Sequence, residues 1–139
     1  MKRLIVDVRP GEYTVTRLAA DAPLPAGLLD LTDVLVSVTR TPDELSIIAP
    51  SSFAMPSPAA WSQSKTEKGW RLLTVRGPLE FTLTGIMAAL AGELAAAGVS
   101  LFAVSTYDTD HLLVKHGDLG RAVLALRAAG HELVVAPEV

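Results

Sequence analysis

The chain has 139 residues, half of them hydrophobic and 5% aromatic; 12 Lys plus Arg against 15 Asp plus Glu leave a net charge of −3, and there is no cysteine. That length fits one compact domain or two small units sharing a core. Basic residues scattered without a run exclude an electrostatic footprint for nucleic acid or an anionic membrane, and the absence of Cys excludes disulfide frameworks, thiolate zinc sites and thiol nucleophiles.

Met1 to Val6 begins like a signal peptide, but Asp7, Arg9, Pro10 and Glu12 interrupt the apolar run too early for a secretory core. No segment is long enough to span a bilayer, so a cytoplasmic protein is expected. Leu4 to Val8 reads as a buried strand, Pro10-Gly11 as a turn, and Tyr13 to Leu18 as an alternating strand with Tyr13, Val15 and Arg17 on one face. Pro23 and Pro25 leave room for only a short turn of helix around Ala26 to Leu29. Val34 to Val38 and Leu45 to Ala49 read as strands. From Pro50 to Gly69 the prolines, serines and the run Lys65-Thr66-Glu67-Lys68 read as a linker.

The second half is more regular. Trp70 to Val75 is a predicted strand and Gly77-Pro78 a turn; Thr84 is a candidate cap for a helix whose Ile86, Leu90 and Leu94 share one face. Gly98 ends that helix. Val99 to Val104 and Leu112 to Lys115 read as an antiparallel pair around the polar reversal Ser105-Thr106-Tyr107-Asp108-Thr109-Asp110. Asp118 is a candidate cap for a second helix with Leu119, Val123 and Leu126 inward; Gly130 closes it before a last strand, Glu132 to Val135. The order strand-helix-strand-strand-helix-strand predicts an α+β, ferredoxin-like layer: a four-stranded antiparallel sheet with both helices on one face.

Three segments recur. Thr39, Asp43 and Leu45 match Thr106, Asp110 and Leu112 at an offset of 67 residues; Val8-Arg9 matches Val75-Arg76 at 67, and Glu12-Tyr13-Thr14-Val15-Thr16 matches Glu80-Phe81-Thr82-Leu83-Thr84 at 68. An offset near half the length points to duplication. The expected division is a first unit over 1–62 with degenerate helices and a second, complete unit over 63–139.

On these residues the chain resembles small bacterial proteins built from tandem ACT domains, and it is similar to the paired ACT modules of the eukaryotic cytosolic arginine sensors called CASTOR. The motifs that carry the likeness are Thr39 to Ser46, Gly77 to Ile86 and Ser105 to Asp110. The resemblance implies a regulatory module that binds a small molecule, usually an amino acid, where two ACT units meet. Carried over residue by residue, it implies ligand-binding roles for Thr84, Gly85, Ile86, Ser105, Thr106, Tyr107 and Asp110. An acidic side chain that helps hold the cationic end of arginine in the sensors falls at Leu83 here, so arginine itself is not implied.

These residue types suit an amino acid. A glycine at a helix start lets a carboxylate approach N–H groups that have no intrahelical partner, and Asp110 with Thr106 supplies acceptors for an ammonium. Each residue also has a purely local role open to it: Asp bonding its own turn, Gly permitting close packing, Thr84 capping. His111, His116 and Asp118 match no metal-ligand spacing and read as solvent-exposed turn residues, and the linker serines lack a nucleophile elbow. No metal or cofactor is expected. Three functions follow in order: an amino-acid-sensing module acting as a homodimer, a structural dimerisation or protein-interaction module, and an enzyme acting on a small metabolite.

Overall fold

The computed structural model describes residues 3–55, 64–77 and 85–136. They form two compact units, one made of residues 1–11 with 70–139 and the other of residues 12–69.

The larger unit contains β1 (Ile5–Val8), the second half of β5 (Lys65–Val75), α1 (Ile86–Ala96), β6 (Leu101–Ser105), β7 (Asp110–Lys115), α2 (Leu119–Ala128) and β8 (Glu132–Val135). Its strands lie in the order β6-β7-β5-β1-β8. Alternation along each strand sends one set of side chains to the helices: Val6 and Val8, Leu73 and Val75, and Leu112 and Val114 form a continuous core with Leu90 and Leu94 of α1 and Ala122, Val123 and Leu126 of α2. Asp7, Thr74, His111 and Val104 face the other way in one cross-strand row, fixed by the pairs Asp7↔Thr74, Thr74↔His111 and Val104↔His111. Gly98 and Gly130 both end their helices with positive φ, 75° and 97°, as the sequence predicts.

The expected four-stranded sheet gains a strand. β1 lies between β5, to which it is antiparallel, and β8, to which it is parallel. The first eleven residues therefore belong with the second half of the chain, whereas the expected division kept them in a 1–62 unit. β1 is apolar on its inner face and supplies a hydrogen-bonding edge on each side, which an isolated strand at the chain start would leave unpaired.

The smaller unit has the strand order β3-β4-β2-β5, with β2 (Tyr13–Leu18), β3 (Ser37–Arg40), β4 (Leu45–Pro50) and the first half of β5, and its described residues include a 3-10 turn at Leu28–Asp30. Leu18, Ala22, Leu28, Leu45, Ile47 and Ala49 are its core. The helix around Ala26 to Leu29 is no more than a turn, as Pro23 and Pro25 require. The expected linker is corrected: Lys65 to Lys68 are strand, because pairing with β2 satisfies backbone groups that a polar composition alone assigns to water. β3 starts three residues later than expected, after Asp33 in a left-handed conformation at φ 62°.

Candidate functional site

Three features of the larger unit converge by topology. β5 ends at Val75, β7 begins at Asp110 antiparallel to it, and α1 runs back across the sheet from Gly85. The C-terminal end of β5, the β6–β7 turn and the N-terminus of α1 therefore share one end of the unit. A bond joins two of them directly: Thr109 Oγ1 donates to the Val75 carbonyl at 2.5 Å.

The turn is built from its own hydroxyls. Thr106 N–H donates to the Thr109 carbonyl at 2.9 Å, and Thr106 Oγ1 donates to the same carbonyl at 3.0 Å. Ser105 and Asp110 are register partners, and Ser105 Oγ donates to Asp110 Oδ1 at 2.6 Å. Strand parity sets their direction. Asp110 shares the face of Leu112 and Val114, so Ser105 and Asp110 lie on the helix side of the sheet. Tyr107 projects from the tip, 79% exposed.

At the facing helix, Gly85 is the N-cap with φ 81°, and among the described residues no side chain caps α1. A Cβ added at Gly85 meets nothing within 4 Å. The glycine is thus required for its left-handed backbone rather than for a packing contact, and the first N–H groups of an eleven-residue helix have no partner within the helix. Ile86 packs against the core beneath. Thr84, predicted as cap and ligand contact, lies outside the described residues, as do Leu83 and the Glu80 to Thr84 repeat.

The earlier hairpin repeats the turn chemistry in a different register from the predicted one. Thr41 N–H donates to the Glu44 carbonyl at 2.8 Å, and the Asp43 and Glu44 N–H groups donate to Thr41 Oγ1, each at 3.1 Å. With Arg40↔Leu45 as the closing pair, Thr41, Asp43 and Leu45 correspond to Thr106, Asp108 and Asp110, an offset of 65 residues. The offset of 67 aligned similar letters rather than equivalent turn positions. Asp43 is the counterpart of Asp108, and leucine stands where the second turn has Asp110. The side-chain pairing of Ser105 with Asp110 is thereby a property of the second hairpin only.

His116 is exposed on a turn, as expected, whereas His111 and Asp118 are partly buried. His111 is half-buried within β7, hydrogen-bonded through Nδ1 to Thr74 Oγ1 at 3.0 Å; burial, only partly opposed by Asp110, pushes its pKa down. His116 bonds instead to Arg71 at 3.3 Å. Asp118 precedes α2 without capping it, its carboxylate lying 3.6 Å from Arg121, because a 3-10 turn at His116–Asp118 leads directly into the helix. Trp70 is a packing anchor: it meets Phe102 edge to face at 5.2 Å, with the Lys115 ammonium 4.6 Å from its ring. Sequence reasoning missed Thr109, whose threonine-to-strand bond depends on a register that local spacing does not reveal.

A family model described as ACT domain matches residues 65–128. The cytosolic arginine sensor for mTORC1 subunit 1 of Pongo abelii is 32% identical over 75% of this chain and 39% of its own length. The human protein of that name is 41% identical over 42% of this chain and 18% of its own. The chain thus spans about two fifths, at most, of these curated relatives. Among solved structures, protein Atu0741 from Agrobacterium tumefaciens superimposes with a TM-score of 0.82 at 33% identity, covering 99% of this chain and 96% of that one. The regulatory subunit of aspartate kinase from Thermus thermophilus matches with a TM-score of 0.64 at 12% identity over 90% and 96% of the two chains, a likeness of fold alone.

Proposed function

The chain belongs to the ACT-domain family, and from that premise we propose that it is a regulatory module that senses a free amino acid and catalyses no reaction. The ligand lies against the N-terminus of α1 and the Ser105 to Asp110 turn, with Thr84, Gly85, Ile86, Ser105, Thr106, Tyr107 and Asp110 as its contacts. The observation that carries this reading is the Ser105–Asp110 pair on the helix side of the sheet, at the end where α1 begins.

The chemistry follows from the two ends of an amino acid. The ligand carboxylate accepts from the first-turn N–H groups of α1, which have no intrahelical partner, helped by the positive end of the helix dipole. The ammonium donates to Asp110, whose second carboxylate oxygen is not engaged by Ser105 in any described bond. Tyr107, exposed at the turn tip, supplies an aromatic wall. The names of the relatives make arginine the first amino acid to test, while Leu83 removes the acidic partner that the arginine sensors place there.

Thermal shift against the twenty proteinogenic amino acids tests the proposal. At a hundredfold excess over its dissociation constant a specific ligand adds about 2.7 kcal/mol of stability. A response to none of them sinks the reading.

A second reading, a structural module that pairs chains, is favoured by β6. This strand lies at the edge of the larger unit and is half-exposed along its length, with Phe102 at 39%. Edge-to-edge pairing about a two-fold axis would cover it and form a homodimer, which light scattering coupled to size exclusion checks. A soluble, cytoplasmic setting fits both readings; no described helix is long and apolar enough to cross a membrane.

A further inference from the structure

The β5–β7 ladder ends at the pair Thr74↔His111, one step before Val75 and Asp110. The carbonyl of Val75, the last residue of β5, is taken by a side chain: Thr109 Oγ1 donates to it at 2.5 Å. Val75 is a firm anchor. It is buried, pairs with Val6 of β1, and is followed by Arg76, whose N–H donates to the Ile5 carbonyl at 2.8 Å.

Thr109 also closes the turn. Its carbonyl accepts from Thr106 N–H at 2.9 Å and from Thr106 Oγ1 at 3.0 Å, and its own N–H donates to Thr106 Oγ1 at 3.4 Å. The backbone of Thr109 therefore holds the turn together, and its hydroxyl holds the turn to the sheet. A hydroxyl has one proton to give, and Val75 takes it, so Thr109 donates nothing to a ligand.

The turn does not need that hydroxyl in order to close. In the first hairpin Thr41 N–H donates to the Glu44 carbonyl at 2.8 Å, the equivalent of the Thr106 to Thr109 bond, and there glutamate stands at the place of Thr109 and leucine at the place of Asp110. The hydroxyl that reaches the neighbouring strand and the carboxylate beside it thus occur together, in the second hairpin. Valine has the same branched shape and would fill the partly buried position of Thr109; what threonine adds is the bond to Val75.

We infer that Thr109 is a positioning residue for the amino-acid site, an inference that rests on the amino-acid reading of that site. By tying the turn to the buried end of β5, its hydroxyl sets where Ser105 and Asp110 stand relative to the start of α1, without touching the amino acid. A binding constellation needs its groups held to within about 0.5 Å by supporting bonds of this kind. Thr109 acts on affinity through Asp110.

The test is calorimetric titration of the full chain and its variants with whichever of the twenty proteinogenic amino acids stabilises the parent most. Thr109→Val keeps the side-chain shape and removes the donor; it should weaken binding at least about threefold, the effect of one lost hydrogen bond. Thr109→Ser keeps the donor and should bind within about twofold of the parent. In an Asp110→Asn background Thr109→Val should have less than about a twofold effect, because the carboxylate it positions is gone. Amide spectra establish that each variant is folded. Binding that Thr109→Val leaves unchanged, that Thr109→Ser fails to restore, or that Thr109→Val and Asp110→Asn weaken independently overturns the positioning role and leaves the amino-acid site standing. No binding of any of the twenty to the parent sinks the site itself, and the positioning role with it.

Discussion

Ser105 Oγ donates to Asp110 Oδ1 across the mouth of the β6–β7 hairpin, at 2.6 Å and on the helix side of the sheet. The bond orients one carboxylate oxygen, and in the proposed site the other accepts from the amino acid. Asp110→Ala is expected to weaken binding of the sensed amino acid at least about tenfold, since a charge-assisted bond contributes about 1.5–3 kcal/mol. Because the bond is exposed, the melting temperature without ligand should hardly move. Titration calorimetry beside thermal unfolding separates the two effects; an equal loss of stability would reduce Asp110 to a turn residue.

Gly85 offers a complementary test. Its φ of 81° disfavours any side chain, but the space beside it is open. Gly85→Ala should therefore cost about 1–2 kcal/mol through backbone strain alone. If a carboxylate approaches α1 here, the same methyl group should also weaken binding well beyond that seen for Gly11→Ala, which carries the same strain at φ 84° without lying at a helix start. Urea titrations and ligand titrations of the two variants make the comparison.

His131 is a stability determinant. It is 5% exposed, and its Nδ1 accepts the Leu4 N–H at 3.1 Å, just where β1 enters the sheet beside β8. His131→Ala removes the acceptor and leaves a buried donor unpaired, which costs about 1–3 kcal/mol. Urea unfolding should show the loss, and hydrogen exchange should localise it to the amides of β1.

Acid acts on Asp7. Arg76 holds it through two bonds, from Nε at 3.0 Å and from Nη2 at 2.5 Å, and that hydrogen bonding lowers its pKa below 3.8 against the opposing effect of burial. A carboxyl with a depressed folded pKa contributes stability in full above its unfolded pKa and loses it as pH falls through the folded value. The unfolding midpoint should accordingly decline below about pH 4, and Asp7→Asn should flatten that decline. The pair is partly exposed, so salt should shrink the effect.

His111 works in a neighbouring window. Its folded pKa is pushed below 6.5 by burial, so the unfolded chain takes up the proton first as pH drops. Stability should fall from about pH 6.5 downward until the folded pKa is passed, and His111→Gln should remove that slope. Unfolding curves recorded from about pH 7 to about pH 5 read it directly.

The sequence by itself determined whatever is local. Periodicity named the strands and both helices of the second half, glycines named the helix ends, prolines limited the helix around Ala26 to Leu29 to a 3-10 turn, and the polar island from Ser105 to Asp110 is a hairpin turn. Tertiary structure decided whatever depends on pairing. Only the sheet shows β1 inserted between β5 and β8, Lys65 to Lys68 as strand, and Thr41 rather than Thr39 as the counterpart of Thr106. The reason is physical: side-chain alternation fixes which face a residue takes within its own strand, but hydrogen-bond register between strands far apart in the chain is chosen by the whole sheet. That choice sets Asp110 on the helix side and His111 on the opposite face, one residue apart in sequence.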